Sequence, residues 1–182
     1  MTSIAGTLSP TRIIGLTAYV LALVSCAIAW ARDRENPHRV RLAAVLTVLE
    51  AALLLDAVFN GRWRVHSFLD NEAIARNVYD QRFGPQHVAL GLLGIAVAAG
   101  IGLTLRLFRG RPGASLAACG CILSLSCWCL EVVSLHAVDA LLYRRVNGVM
   151  LVRLIWAACS LMTSLGILWD TFAARAHDRS DK

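Results

Sequence analysis

Five long apolar runs occupy most of this chain, and they constrain its fold more than any other feature. They cover residues 13–31, 40–60, 88–108, 114–143 and 149–173. A helix needs about 20 mostly apolar residues to cross the hydrocarbon core of a bilayer. Because that core offers no partner to an open backbone N–H or C=O group, each run is predicted to be a transmembrane helix.

The composition of the chain and the positions of its prolines agree with a membrane protein. Hydrophobic residues make up 57% of the chain and charged residues 16%, whereas soluble domains have about 45–50% and about 25%. Four prolines each fall at or near the start of a run, where a helix tolerates a missing N–H; they are Pro10, Pro37, Pro85 and Pro112. The pattern therefore predicts an all-α, polytopic membrane helix bundle, with residues 1–182 forming a single integral membrane domain.

The first run allows a second interpretation. "LVSC" at residues 23–26 resembles a lipoprotein cleavage box, and "AWA" before Arg32 resembles a signal-peptidase site. Cleavage at either place would leave four spans. However, the apolar stretch continues beyond Cys26, and cleavage would leave the arginines at 32, 34, 39 and 41 outside. Five spans are therefore the prediction.

The distribution of Lys and Arg predicts the orientation. With the N-terminus outside, ten of these residues lie near the inner ends of the spans and seven near the outer ends, which is the direction of the positive-inside rule. The tail 174–182 is then cytoplasmic, in the cell membrane, which would be the inner membrane of a bacterium. The loop 61–87 is external, and Asp70 or Asn71 is expected to cap a short interfacial helix in it. Nucleic-acid binding is excluded, because no soluble portion is large enough to present a basic face.

Three ionisable residues in different runs share one predicted depth. With a rise of about 1.5 Å per residue, Asp56 and Glu131 lie about 24–25 Å from the inner side, and Arg153 lies about 6 Å below the outer edge. In a hydrocarbon core of about 30 Å, all three residues therefore lie at nearly the same depth. Uncompensated charge costs at least about 2.5–3.5 kcal/mol near the bilayer centre, and less towards its edge. Asp56, Glu131 and Arg153 are therefore predicted to form a buried ion-pair cluster.

A histidine and an aspartate at the end of the fourth run allow a hypothesis of metal or cofactor binding. His136 and Asp139 are three residues apart, so one helix face can present both to a single ion. Imidazole and carboxylate suit Zn, Fe or Cu. The motif H-E-x-x-H is not present. Four other residues could complete a ligand set: Asp56, Glu131, His66 and His87.

Two further hypotheses use the same polar residues. In a membrane enzyme acting at the outer face, His136 would be a general base oriented by Asp139 or Glu131. In a proton or ion pathway, Glu50 would be the central group, because it lies about 15 Å into the bilayer, close to its midplane. No cation is predicted at the depth of Glu50.

The segments predicted to lie outside the membrane are short, which favours a protein that functions together with a partner. They are too small for a separate catalytic domain, so the predicted function is a small non-catalytic subunit or assembly partner of a larger membrane complex. The partner would be another membrane protein or a second copy of the chain. Small residues in the third run, Gly91, Gly94, Ala98 and Gly102, would let another helix approach closely, so this helix is predicted to be a packing spine.

Overall fold

The computed structural model describes residues 10–34, 36–77, 83–133 and 135–180, and this part of the chain is almost entirely helical. Five of its helices are long and apolar enough to cross a membrane, so the predicted all-α bundle with five spanning helices is confirmed. The elements are α1 (Pro10–Arg32), α2 (Pro37–Phe59), α3 (Gly61–Ala75), α4 (Phe83–Leu107), α5 (Pro112–Val133), α6 (His136–Leu142), β1 (Arg145–Val146), β2 (Val149–Met150) and α7 (Leu151–Ser180).

The starts of the spanning helices follow the prolines. α1, α2 and α5 each begin at a proline, whose fixed φ and missing N–H suit the first helical position. α2 also has a side-chain cap: the Asn36 side-chain oxygen accepts hydrogen bonds from the backbone N–H groups of His38 (3.1 Å) and Arg39 (3.3 Å). This cap satisfies two N–H groups that have no partner inside the helix.

The fourth apolar run differs from its prediction. The run was expected to form one helix over 114–143, but α5 ends at Val133 and a separate short helix, α6, begins at His136. A helix of the predicted length would rise about 45 Å, which exceeds a hydrocarbon core of about 30 Å. The chain therefore leaves the spanning direction once the core has been crossed.

A tight hairpin connects α6 to the last spanning helix. β1 and β2 pair in antiparallel register, with Arg145 opposite Met150 and Val146 opposite Val149. Asn147 and Gly148 between them have φ angles of 51° and 81°. Two central residues with positive φ define the turn that matches the twist of a two-stranded ribbon, and Asn-Gly is its preferred pair.

The segment after α2 also differs from its prediction. It was expected to be a loop with a helix capped near Asp70, but α3 begins at Gly61, directly after α2. Asn60 forms the turn, with φ 53° and its N–H bonded to the carbonyl oxygen of Asp56. The rest of the predicted interfacial segment, residues 78–82, lies outside the described residues.

α5 and α7 cross at backbone contact and form the centre of the bundle. A Cβ atom placed on Gly113 would lie 2.5 Å from the backbone N of Asp170, and one placed on Gly120 would lie 2.7 Å from the carbonyl oxygen of Cys159. Glycine therefore permits the crossing at both points. α1 packs against α7 and α2, whereas α4 packs chiefly against α5 at the edge of the bundle.

We expect Gly120→Ala to lower the free energy of unfolding by about 1–3 kcal/mol, because the added methyl group would overpack the crossing. The matched control is Gly84→Ala on α4, since a Cβ there meets no atom within 4 Å. Chemical unfolding in detergent micelles measures the free energy of unfolding of both variants. Equal stability of the two variants would contradict the close crossing.

Candidate functional site

A buried arginine at the start of α3 organises the polar residues at one end of the bundle. The side chain of Arg62 is only 1% exposed. The Asp56 carboxylate accepts a hydrogen bond from the backbone N–H of Arg62 (2.7 Å) and another from its Nη1 (3.0 Å). Oε2 of Glu131 lies 3.1 Å from Nε of Arg62, but this pair lacks hydrogen-bond alignment. Arg62 therefore forms ion pairs with carboxylates from α2 and α5.

An aromatic residue of α7 lies against this arginine. The Trp156 side chain is fully buried, and its ring lies 4.2 Å from the guanidinium carbon of Arg62 and 3.9 Å from that of Arg153. Each contact has the geometry of a cation–π interaction. On α1, the ring of Tyr19 lies 5.3 Å from the Trp156 ring. Two cations thus share one indole ring.

Tyr143 contributes a hydroxyl group to the same cluster. Its phenol donates to Oε1 of Glu131 across 3.5 Å, a long hydrogen bond. Burial, and secondly the negative charge of Glu131, raise the pKa of Tyr143. The phenol therefore stays protonated and can act as a donor, which agrees with the direction of the hydrogen bond.

The structure brings Asp56 and Glu131 together, but on a different cation from the one expected. The sequence predicted Arg153 as their partner, whereas their ion pairs are with Arg62. In the described part of the chain Arg153 forms no ion pair, and its guanidinium stacks on Trp156. The reason is the tight turn between α2 and α3, which directs Arg62 back into the bundle.

Sequence reasoning missed Arg62 because it counted this residue among the loop arginines. The signal was Asn60–Gly61, a dipeptide typical of tight turns. The turn also favours glycine at its second position, since a Cβ atom on Gly61 would lie 2.8 Å from Oδ1 of Asp56 and would displace that carboxylate. An arginine directly after such a turn can fold back onto an acid in the last turn of the preceding helix.

Glu50 forms a second polar centre, near the middle of α2. Its side chain is fully buried, and neither carboxylate oxygen has a hydrogen-bond partner. The hydroxyl of Thr163 faces this carboxyl but donates to the carbonyl oxygen of Cys159 at 3.2 Å. The hydroxyls of Ser124 and Ser160 are likewise buried without a partner. Among the described residues, Glu50 has no ion pair.

Two of the candidate histidines, His66 on α3 and His87 on α4, contact other protein groups. Nδ1 of His66 lies 3.3 Å from the carbonyl oxygen of Val132, and its Nε2 lies 3.3 Å from Oδ2 of Asp70. His87 is exposed, and its Nδ1 donates to the carbonyl oxygen of Phe83 (2.7 Å). Both rings therefore have protein partners.

His136 and Asp139 lie on α6, with His136 as its first residue. The side chain of His136 falls outside the described part, and Asp139 is partly buried. Among the described side chains there is no group of three His, Cys, Asp or Glu residues that could hold a metal ion. The metal and enzyme hypotheses stay predictions.

Another ion pair, which the sequence reasoning did not find, lies at the opposite end of the bundle. Arg111 binds Asp170 through two nitrogens, with Nε donating to Oδ1 at 3.2 Å and Nη2 to Oδ2. Asp170 is only 6% exposed. Nearby, the hydroxyl of Thr171 donates to Oδ2 of Asp33 (3.0 Å). In the sequence, Arg111 is one of the ten Lys and Arg residues counted near the inner ends of the spans.

Comparison with protein-family models, curated proteins and solved structures finds no match to this chain. The five apolar helices show a multi-span protein whose surroundings are a lipid bilayer.

We expect Arg62→Gln to destabilise the protein by about 3–5 kcal/mol, because Asp56 and Glu131 would be left buried without their cation. Arg64→Gln is the matched control, as Arg64 is exposed on the same helix. Unfolding in detergent micelles measures the difference. If Arg153→Gln were more damaging than Arg62→Gln, the assignment of Arg62 as the central cation would be wrong.

Proposed function

We propose that this protein is a small non-catalytic subunit or assembly partner of a larger membrane complex, and that α4 binds the partner. The observation that carries the proposal is the exposure of α4. Only 6% of its apolar window is buried, against 28–44% for the other four spanning helices. A spanning helix at the edge of a bundle has a surface available to another protein.

The outward face of α4 has the residues that helix association needs. Gly91, Ala98 and Gly102 lie within about 40° of one another around the helix. The side facing α5 includes Gly100, whose Cβ would lie 3.6 Å from Ile122, whereas a Cβ on Gly91 or Gly102 would meet no atom within 4 Å. The small residues predicted to form a packing spine therefore have no helix of the described chain against them.

The chemistry of this face defines its occupant. Large apolar side chains flank the small residues, including Leu92 (62% exposed), Ile95 (68%) and Leu103 (57%). No charged residue occurs between Val88 and Leu105. A membrane helix that is itself apolar fits this surface, because small residues allow close backbone approach and dispersion contacts drive association in lipid.

We place the protein in the cell membrane, with its N-terminus outside and its C-terminus in the cytoplasm. The support is the excess of arginines at the predicted inner ends of the spans. In this orientation the Arg62 cluster lies in the outer half of the bilayer, and the Arg111–Asp170 pair lies at the inner surface.

We expect the wild type to give a higher-mass band in blue-native electrophoresis of mildly solubilised membranes. Gly91→Leu/Gly102→Leu should abolish this band, because large side chains would block close approach. Ala96→Leu is the control, since Ala96 is also exposed on α4 but lies about 140° from Gly91 around the helix. Co-purification of two differently tagged copies would identify the occupant as a second copy. A wild-type protein that migrates as a monomer in every mild detergent contradicts the proposal.

Glu50 supports a second candidate function, a proton or ion pathway. Its two buried oxygens without partners are the supporting observation, since ionisable residues inside membranes are costly and commonly mark such paths. Glu50→Gln should abolish proton flux into proteoliposomes that contain a pH-sensitive dye, because an amide cannot carry the proton. Asp170→Asn, at the end of the bundle, and empty liposomes are the controls. Flux unchanged by Glu50→Gln would reject this function.

A further inference from the structure

A cavity with a strongly basic lining lies at the end of the bundle where α1 and α7 begin and α2 ends. It has a volume of about 340 Å³. Three of its lining side chains are arginines and none is acidic; the lining consists of Thr11, Arg12, Leu16, Ala57, Asn60, Arg145, Gly148, Met150 and Arg153. We name this the arginine cavity. Arg12 already donates to the carbonyl oxygen of Val58 across 3.4 Å, so the positive charge that requires an explanation is that of Arg145 and Arg153.

The carboxylates that pair with Arg62 form no ion pair with Arg145 or Arg153 of the arginine cavity. Asp56 and Glu131 have their ion pairs with Arg62. Arg153 forms none with any described residue, and its buried Nε has no hydrogen-bond partner. Glu131 is near enough to offset part of the Arg153 charge, but Arg145 adds a further exposed cation to the lining. An anionic ligand would offset the charge of Arg145 and the remaining charge of Arg153.

The backbone around the arginine cavity also favours a negatively charged ligand. Two of the helices that line it, α1 and α7, contribute their first turns. The N-terminal end of a helix carries a partial positive charge and backbone N–H groups without intrahelical partners. Two such ends beside three guanidinium groups form an environment for oxyanions.

Gly15 shapes the wall of the arginine cavity by letting Arg153 lie along α1. A Cβ atom at this position would be 3.3 Å from Cδ of Arg153 and 3.6 Å from the Trp156 ring. The guanidinium of Arg153 is therefore held between α1 and Trp156. A cation fixed in this way loses less conformational entropy when it binds a ligand.

We propose that the arginine cavity binds a phosphate oxyanion, held by Arg12, Arg145 and Arg153. The guanidinium group suits phosphate because its planar fork can donate two parallel N–H bonds to two oxygens. The amide of Asn60 and the hydroxyl of Thr11 supply neutral polar groups beside them. The volume is near the lower limit of ligand pockets, about 300–1,000 Å³, so it fits a phosphate group with a small substituent.

The position of the arginine cavity allows two sources of this phosphate. The spans begin at Thr11 and Leu151 and end at Phe59, so the cavity lies at the level where lipid headgroups meet water. Exposed apolar side chains at the same level, Ile13 (46%) and Phe59 (62%), would contact acyl chains. The phosphate belongs either to a lipid headgroup or to a free anion, and the experiment separates them.

The test compares two double variants with equal loss of charge. Arg12→Gln/Arg145→Gln removes two exposed arginines from the cavity, and Arg64→Gln/Arg144→Gln removes two exposed arginines elsewhere. Isothermal titration of the full chain in a neutral detergent uses inorganic phosphate in one arm and a water-soluble, short-chain phosphatidylglycerol in the other. Chloride at equal ionic strength controls for screening. Thermal unfolding without ligand verifies that both variants fold.

We expect the cavity variant to bind at least about tenfold more weakly than the wild type, because two charge-assisted hydrogen-bonding groups are lost. The control variant should remain within about twofold. Cavity-dependent binding of phosphatidylglycerol alone identifies a lipid headgroup, binding of phosphate alone identifies a free anion, and binding of both supports the shared chemistry. No binding in either arm, or equal weakening in the two variants, overturns the proposal.

Discussion

The guanidinium of Arg62 is the interaction on which the arrangement of the helices depends. It lies at the start of α3, pairs with carboxylates from α2 and α5, and stacks on Trp156 of α7. One buried cation thus fixes the register of four helices at the same end of the bundle. Replacing buried ion pairs by apolar residues is often neutral or stabilising, so the charges specify this arrangement more than they add to its stability.

Trp156 contacts two arginines that have different surroundings. Arg62 is enclosed by carboxylates, whereas Arg153 on the same ring borders the arginine cavity and has no ion pair within the described chain. The nearby carboxylates compensate the charge of Arg62. The positive charge of Arg153 is therefore left to face the cavity. The polar end of the bundle therefore combines a neutralised interior with a basic opening.

Hydropathy was sufficient to predict the five spans, because the backbone in a bilayer has few alternatives. The meeting of Asp56 and Glu131 agreed with their calculated depth, which depends only on helical rise. The cation that pairs with them was not predicted, because its position depends on the sharp turn at Asn60. Depth was calculated from residue number alone, and this assigns every residue beyond a span to a loop. The break after Val133 was missed because no proline or glycine marks it and apolar residues continue on both sides of it. Neither the turn at Asn60 nor the break after Val133 changes the periodicity of apolar residues in the sequence.

The glycine-lined crossing of α5 and α7 bears on how the protein assembles in the membrane. These are consecutive spans, so their contact becomes available as soon as both have entered the bilayer during synthesis. α1, by contrast, packs against α7 and must wait until the last span has been inserted. The first span thus completes its packing last, and a chain truncated before Leu151 would lack the surface onto which α1 docks.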